Sequence, residues 1–177
     1  MTHPLLDVPC ACASVRRLAR VLTRIYDDAL RPTGLVFTQF GLLKTLEANP
    51  DLSQTQLSVG LAFDSTTLTR TLSVILKRGW IERNRGRDRR QWIYRLTPAG
   101  RDRIEDADPR WEAAHAALER VVGGGTADRL TDMSNELVAV LHQRSVRERP
   151  VSTGSAQPRK PRSSKRRQTT AEIDASA

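Results

Sequence analysis

Helical periodicity dominates the beginning of the chain. Between residues 13 and 30, apolar side chains recur three and four positions apart, with arginines between them, and this spacing predicts one amphipathic helix. We expect Pro32 and Gly34 to end it. A second helix is expected from Thr38, whose hydroxyl would cap it, to about Leu46. The apolar residues of the first helix are Val15, Leu18, Val21, Leu22, Ile25 and Tyr26.

Two further helices follow in quick succession. Ser53 and Gln56 have the spacing of a capping box, so a short helix should begin at Ser53. Gly60 is expected to take the left-handed conformation that ends it. Asp64 would then cap a longer helix over residues 65–78, which Gly79 closes. A short helix, a tight turn and a longer helix together predict a helix-turn-helix.

The longer helix has two chemically different faces. One carries the apolar residues Leu68, Leu72, Ile75 and Leu76, and the other carries hydroxyls, one arginine and one lysine. Such groups contact base edges and phosphates in a DNA major groove. An ordinary solvated face is the alternative, but that usually has Glu–Lys pairs, and this helix has no acid after its cap. The candidate DNA contacts are Ser65, Thr66, Thr67, Thr69, Arg70, Ser73 and Lys77.

A basic hairpin is predicted after the helix-turn-helix. Residues 80–83 and 91–96 have strand character, and the loop between them is rich in arginine. A hairpin in this position is the wing of a winged helix-turn-helix, and arginine is attracted to a narrow minor groove. Asp88 is the acid expected to hold the arginines of the loop in shape. The candidate DNA contacts of the wing are Arg85, Arg87, Arg89 and Arg90.

The remaining helical segments are expected to mediate dimerisation. Thr97 and Pro98 should begin a helix that Pro109 kinks or interrupts and the glycines at 123–125 end. A last helix is expected at about residues 127–144. The first and last helices carry apolar stripes too long for a small winged domain to cover, which indicates pairing between two subunits. The predicted fold is mainly α with a small β-wing, a winged helix-turn-helix flanked by dimerisation helices.

Four regions follow from these patterns. Residues 1–34 form an N-terminal arm and dimerisation helix, and residues 35–100 form the DNA-binding domain. Residues 101–149 form the C-terminal dimerisation helices. Residues 150–177 are rich in Pro, Ser, Thr, Arg and Lys, a composition expected to give a disordered basic tail.

Charge and composition favour a polyanionic partner. The net charge is +9 over 177 residues, which predicts double-stranded DNA first and an anionic membrane second. The chain lacks the run of roughly 20 apolar residues that crosses a bilayer. It also lacks a secretory signal, so we expect the cytoplasm. No phosphate-binding glycine motif or catalytic triad is evident, so we expect no enzymatic activity and no bound cofactor.

The cysteines and histidines leave three alternatives open. Cys10 and Cys12 precede the first helix, where they are packing residues, redox-active thiols near Arg16 and Arg17, or metal ligands together with His3. His115 and His142 are isolated in the sequence. We therefore expect no other metal site.

Several motifs resemble the MarR family, the multiple-antibiotic-resistance type of bacterial regulator. They are "FTQFGLLKTL", "LTRTLSVILKRGWIER" and the wing "DRRQWIYRLTPAG", and the resemblance covers about residues 15–141. In the wing, Asp88 and Arg90 form the D-x-R pattern, which "LTPAG" follows. Trp80 stands where an aliphatic residue is commoner in the family, and the basic tail departs from the family pattern.

The resemblance implies a homodimeric repressor on a palindromic operator, released by a small phenolic or aromatic acid or by oxidation. It also implies a bacterial cytoplasmic protein associated with the nucleoid. It maps the recognition helix to residues 65–77 and the minor-groove arginine to Arg90. It also implies an effector pocket, for which the candidates are Tyr26, Phe37, Trp111 and His115. Two alternatives stay open: a thiol-sensing repressor that uses Cys10 and Cys12, and an architectural DNA-coating protein suggested by the basic tail.

Overall fold

The computed structural model describes residues 10–147. The chain divides into two units, up to Thr131 and from Asp132 onward. The helices are α1 (Ala11–Leu30), α2 (Phe37–Ala48), α3 (Gln54–Gly60), α4 (Ser65–Lys77), α5 (Pro98–Val122) and α6 (Thr126–Arg147), and the strands are β1 (Leu52–Ser53), β2 (Ile81–Arg85) and β3 (Trp92–Leu96). This is the predicted mainly α fold with a β-wing.

The start of α2 differs from the prediction. The helix begins at Phe37 rather than after a capping Thr38. A carboxylate from α1 takes the place of the cap, because Asp27 Oδ1 accepts a hydrogen bond from the Phe37 amide at 2.6 Å. A long-range contact of this kind leaves no signal in the local sequence. The end of α1 agrees with the prediction, since a 3₁₀ turn at Arg31–Thr33 leads to Gly34 at φ +73°.

The helix-turn-helix has the predicted caps and a different turn. The amide of Gln56 donates to Ser53 Oγ at 3.2 Å, and the Ser53 amide donates to Gln56 Oε1 at 2.9 Å. The capping box is therefore confirmed. The prediction for Gly60 was wrong, because α3 runs through it and Ala62 is the left-handed residue, with φ 51°. Gly79, at φ 71°, follows α4 as expected.

The sheet has one more strand than the wing hairpin predicts. β3 pairs antiparallel with β2 on one side and with the two-residue β1 on the other. In this register Leu52 lies opposite Tyr94. The extra strand escaped prediction because it overlaps the cap of α3, so its local signal is that of a helix start.

The core lies between the helix-turn-helix, the sheet and the first half of α5. Its fully buried members are Leu30, Leu35, Leu42, Leu43, Leu46, Leu57, Leu68, Ile75 and Ile104. Trp80 joins this core as a buried ring. Gly100 is required by a close approach, since a Cβ there would stand 2.1 Å from the Trp80 carbonyl oxygen. The start of α5 therefore packs directly on the backbone that enters β2.

The last two helices follow the predicted caps. Thr97 Oγ1 accepts a hydrogen bond from the Gly100 amide at 3.1 Å, and Pro98 opens α5. Pro109 lies inside α5 and does not interrupt it, so of the two expected outcomes only a kink remains, and it stays a prediction. Gly123, at φ 90°, ends the helix. In the part of the chain from residue 10 to 147, no helix is both long and apolar enough to span a membrane. The basic tail lies outside the described residues.

Candidate nucleic-acid interface

The two faces of α4 separate as the sequence predicts. Leu68, Leu72 and Ile75 are buried, and Leu76 is half-buried against the core. The opposite face is open to solvent, and all seven candidate contacts on it are exposed. They are Ser65, Thr66, Thr67, Thr69, Arg70, Ser73 and Lys77. Hydroxyls, arginine and lysine are the groups that contact base edges and phosphates in a major groove, and the role of this face stays a prediction.

The N-terminus of α4 is fixed by Asp64. Its Oδ1 accepts hydrogen bonds from the amides of Thr66 at 3.0 Å and Thr67 at 2.9 Å, and the Thr67 hydroxyl donates to Oδ2 at 2.6 Å. The Thr67 hydroxyl bond, followed by the amide bonds, lowers the pKa of Asp64. The Thr67 hydroxyl therefore has a structural partner as well as a predicted DNA contact.

Gln54 joins α4 to the sheet. Its Nε2 donates to Thr69 Oγ1 at 3.1 Å, and its Oε1 accepts from the Tyr94 hydroxyl at 3.3 Å. Burial raises the pKa of Tyr94, with Arg83 acting in the opposite direction. Sequence reasoning did not find Gln54, because its partners are 15 and 40 positions away. The bridge positions one exposed hydroxyl of α4 against β3.

Two arginines of the wing pack on one tryptophan. The guanidinium carbons of Arg83 and Arg85 lie 4.5 Å and 3.8 Å from the centroid of the Trp92 ring. Arg85 Nη1 also donates to the Arg89 carbonyl at 2.8 Å. These contacts order the stem of the wing, which is the part of the hairpin where Arg83 and Arg85 of β2 lie beside Trp92 of β3. They also give Arg85, a predicted DNA contact, a second role within the protein.

The tip of the wing is organised through its backbone. Asp88 Oδ1 accepts a hydrogen bond from the Arg90 amide at 2.9 Å, and the Asp88 carbonyl accepts one from the Gln91 amide at the same distance. Asp88 was expected to hold the arginine side chains, whereas its contact is with an amide. Arg87, Arg89 and Arg90 are exposed residues. Their charges are available to a phosphate backbone.

An ion pair holds the base of the wing. Arg95 donates from Nε to Asp51 Oδ1 at 3.0 Å and from Nη2 to Oδ2 at 2.9 Å. Asp51 has φ 66°, a left-handed conformation that Asp tolerates better than most residues. This two-point contact joins the turn before β1 to β3. Exposed pairs of this type contribute little to stability, so its value is in orientation.

The four residues predicted to line an effector pocket lie together. The rings of Tyr26 and Phe37 stack at 4.9 Å, and those of Trp111 and His115 stack at 5.5 Å. The Tyr26 hydroxyl hydrogen-bonds with His115 Nδ1 at 3.2 Å. Burial, with a smaller effect of the Glu119 carboxylate, raises the pKa of Tyr26. The contacts unite α1, α2 and α5, and the pocket itself stays a prediction.

His115 is less isolated than its sequence position indicates. Donor atoms of His115, Glu119 and Asp128 all lie within 4.8 Å of one another. The expectation of an isolated histidine was therefore wrong. It failed because a tight turn between α5 and α6 brings Asp128 back to His115. The side chains of His3 and His142 lie outside the described part of the structure.

The cysteines stand at the start of α1. Both are exposed; Cys10 is the residue before the helix and Cys12 lies in its first turn. The prediction that both precede the helix was therefore wrong for Cys12. Their redox role stays a prediction.

Comparison with known proteins identifies the family. A family model described as the MarR family matches residues 33–91. The multiple antibiotic resistance protein MarR of Salmonella typhimurium is 32% identical over 120 residues, which are 67% of this chain and 81% of that protein. The chain belongs to the MarR family of transcriptional regulators. The transcriptional repressor MprA of Escherichia coli is 30% identical over 117 residues, 64% of this chain and 66% of that protein.

A solved structure extends the likeness beyond the residues of the family model. The M. tuberculosis transcriptional regulator MosR, in a crystal structure with DNA, is 34% identical and superposes with a TM-score of 0.66. The match covers 76% of this chain and 97% of that one. The family model ends at residue 91, before β3, so the likeness of the wing and of the later helices rests on these longer matches.

Proposed function

We propose that this MarR-family protein is a dimeric, sequence-specific DNA-binding repressor. The observation that supports this most directly is the exposed polar face of α4, held by the Asp64 cap and the Gln54 bridge. A relative that is 34% identical was crystallised in complex with DNA. The net charge of +9 supplies the sequence-independent attraction that such binding needs.

In this proposal α4 and the wing have different tasks. Arg70, Ser73 and Lys77 on α4 enter the major groove, where arginine pairs with guanine edges and distinguishes base pairs. The wing lies beside the duplex, where its tip arginines contact phosphates or a narrow minor groove. Base preference is therefore assigned to α4, and general affinity to the wing. The tip arginines are Arg87, Arg89 and Arg90.

Exposed apolar side chains support the dimer. On α1, Val15 and Val21 have exposures of 61% and 53%, and on α6, Met133 and Leu141 have 54% and 63%. Two helices that each expose such residues gain from burial against a second copy. A two-fold dimer separates its recognition helices by about 34 Å, one turn of DNA, and so matches a palindromic operator.

The releasing signal has two candidates. A small aromatic acid would bind beside Tyr26, Phe37, Trp111 and His115, whose contacts with one another join α1 and α2 to α5. Oxidation of Cys10 or Cys12 is the second candidate, which the exposure of both residues favours. Either signal would act on α1, the helix assigned to the dimer interface.

A gel-shift titration tests the function. The full chain is titrated against DNA from immediately upstream of its own gene, with excess non-specific competitor, both reduced and oxidised and with a panel of aromatic carboxylates. We expect a specific complex that one of these conditions dissolves. Loss of the complex to competitor in every condition would contradict the proposal and favour the architectural alternative.

A truncated chain, residues 1–149, provides the matched control. A sequence-specific repressor keeps its operator preference without the basic tail and loses part of its salt-dependent affinity. A DNA-coating protein loses most of its binding.

A further inference from the structure

Three side chains that bind metals in other proteins meet where α5 turns into α6. His115 and Glu119 are four residues apart on α5 and so share a helix face, and Asp128 lies in the first turn of α6. One donor atom from each, a nitrogen and two carboxylate oxygens, lies within 4.8 Å of the other two. His115 also belongs to the candidate effector pocket, whereas Glu119 and Asp128 have no part in the proposed DNA binding.

The histidine ring is held in place from two sides. It stacks on Trp111 with an interplanar angle of 8°, and its Nδ1 hydrogen-bonds with the Tyr26 hydroxyl at 3.2 Å. Metal-bound histidines in proteins usually have one ring nitrogen on the metal and the other in such a hydrogen bond, which fixes ring orientation and tautomer. Since Nδ1 is bonded to Tyr26, Nε2 is the nitrogen that this proposal assigns to the metal, with Tyr26 as the outer contact.

The Glu119 carboxylate is also fixed. Its Oε2 accepts a hydrogen bond from the Gly125 amide at 3.1 Å, and its Oε1 accepts one from the Ala127 amide at 2.9 Å. These bonds cap the start of α6 and so give Glu119 a structural role without a metal. They do not account for the nearness of His115 and Asp128 to Glu119. Each carboxylate oxygen retains a second lone pair, so the cap and a metal are compatible.

The charges of the cluster favour a divalent cation. The start of α6 contributes roughly half a positive charge, whereas two ionised carboxylates contribute two negative ones. One imidazole and two carboxylates suit zinc, which takes three protein ligands and a water in open tetrahedral sites at about 2.0–2.2 Å. Such ligands stand about 3.4 Å apart, so metal binding would draw the three donor atoms closer than the 4.8 Å within which they now lie.

We propose that His115, Glu119 and Asp128 bind a first-row divalent cation, with zinc preferred. The cation joins the last turns of α5 to the first turn of α6. Because His115 contacts Tyr26, the site is also linked to α1. The metal site shares His115 with the candidate effector pocket, but neither metal binding nor DNA binding requires the other, so the two proposals can fail separately.

Metal titration of the full chain tests the site. Cys10 and Cys12 are both replaced by serine in the parent, so that thiolates contribute nothing. Zinc is titrated in competition with a chromophoric chelator, and cobalt is added separately for the visible absorption of tetrahedral Co(II). We expect one equivalent of zinc per chain, a tetrahedral cobalt spectrum and a higher melting temperature with zinc.

Three variants locate the metal. Asp128→Asn and His115→Gln should each weaken zinc binding at least about tenfold, since removal even of an outer contact of a ligand costs about 10–100-fold. Glu112→Gln, an exposed carboxylate on the same helix, is the matched control and should bind as the parent does. At the same zinc concentration, the melting temperature should rise less in Asp128→Asn than in the control.

Two results would overturn the proposal. One is a parent that fails to compete with a chelator of micromolar affinity. The other is tight binding that Asp128→Asn and His115→Gln both leave unchanged, since the metal would then lie elsewhere in the chain. Asp128 is exposed and outside the core, so its variant answers the question even if His115→Gln folds poorly.

Discussion

The Arg85 guanidinium carbon lies 3.8 Å from the centroid of the Trp92 ring, and Arg83 packs on the same ring at 4.5 Å. Two cations of the wing thus depend on one aromatic side chain for their positions. Trp92 is half-buried and packs against the core, so it joins the stem of the wing to the domain. The tip arginines extend from this stem.

Trp92→Ala should weaken DNA binding without changing base preference. Each exposed cation–π contact contributes about 0.5–1 kcal/mol, so the wing loses order when the ring is removed, and affinity should fall several-fold on operator and scrambled DNA alike. Fluorescence anisotropy on both sequences measures this. Trp92→Phe keeps a ring and should recover most of the loss. A variant that lost affinity only on the operator would show that Trp92 takes part in base recognition.

Arg70→Ala should relax base preference. A good contact of arginine with a base edge contributes about 1–3 kcal/mol of discrimination, and Arg70 is exposed on the predicted major-groove face of α4. Arg87→Ala is the comparison, because loss of a phosphate contact at the wing lowers the salt slope by about one and affects all sequences equally. Both are measured on the operator and on single-base variants over a range of salt concentrations. Unchanged preference in Arg70→Ala would mean that another residue contacts the bases.

Gly100→Ala should destabilise the fold. The added Cβ would stand 2.1 Å from the Trp80 carbonyl oxygen and 2.7 Å from Leu96 Cδ1, so backbone has to move, and overpacking of this kind costs about 1–3 kcal/mol or more. Gly41→Ala is the matched control, because a Cβ added at this other helical glycine would meet nothing within 4 Å. It should stabilise the protein by up to about 1 kcal/mol. Urea unfolding compares the two, and equal midpoints would contradict the packing argument.

Asp64 should make stability depend on pH in the acidic range. Its pKa is lowered in the fold, so its stabilising effect is complete above the unfolded value, about 3.9, and is lost as the pH falls through the lower folded value. Asp64→Asn keeps a good helix cap and cannot titrate. Between about pH 5 and about pH 2.5, the unfolding midpoint of the parent should therefore fall more than that of the variant. If the unfolding midpoints of parent and variant fell equally with pH, Asp64 would make no such contribution to stability.

Local signals predicted much of this fold. Most helix starts and ends depend on contacts between near neighbours in the chain, so the sequence alone indicated them. The residues that mark them are Ser53 with Gln56, Asp64, Thr97 and Gly79. The prediction for Gly60 was wrong because glycine can adopt a left-handed conformation without having to do so. Ala62 takes that conformation instead.

The contacts that escaped prediction join distant parts of the chain. The Asp27 bond to Phe37, the Gln54 bridge and the approach of Asp128 to His115 depend on how the helices pack. Nothing in their local sequence distinguishes these polar residues from ordinary surface ones. The exposed face of α4 was predictable, because a helical period of about 3.6 residues is visible in the sequence. The partners that order its side chains were not.

The hydrogen bond between Asp27 and the Phe37 amide couples the position of α1 to that of α2, the first helix of the DNA-binding domain. At 2.6 Å, it fastens the C-terminal part of α1 to the first residue of α2. If a second subunit or a ligand turns α1 about its axis, this bond either breaks or turns the beginning of α2 with it. The stack of Tyr26 on Phe37 joins the same two helices, so a rotation of the outer helix would have to displace both contacts before the start of α2 could stay in place.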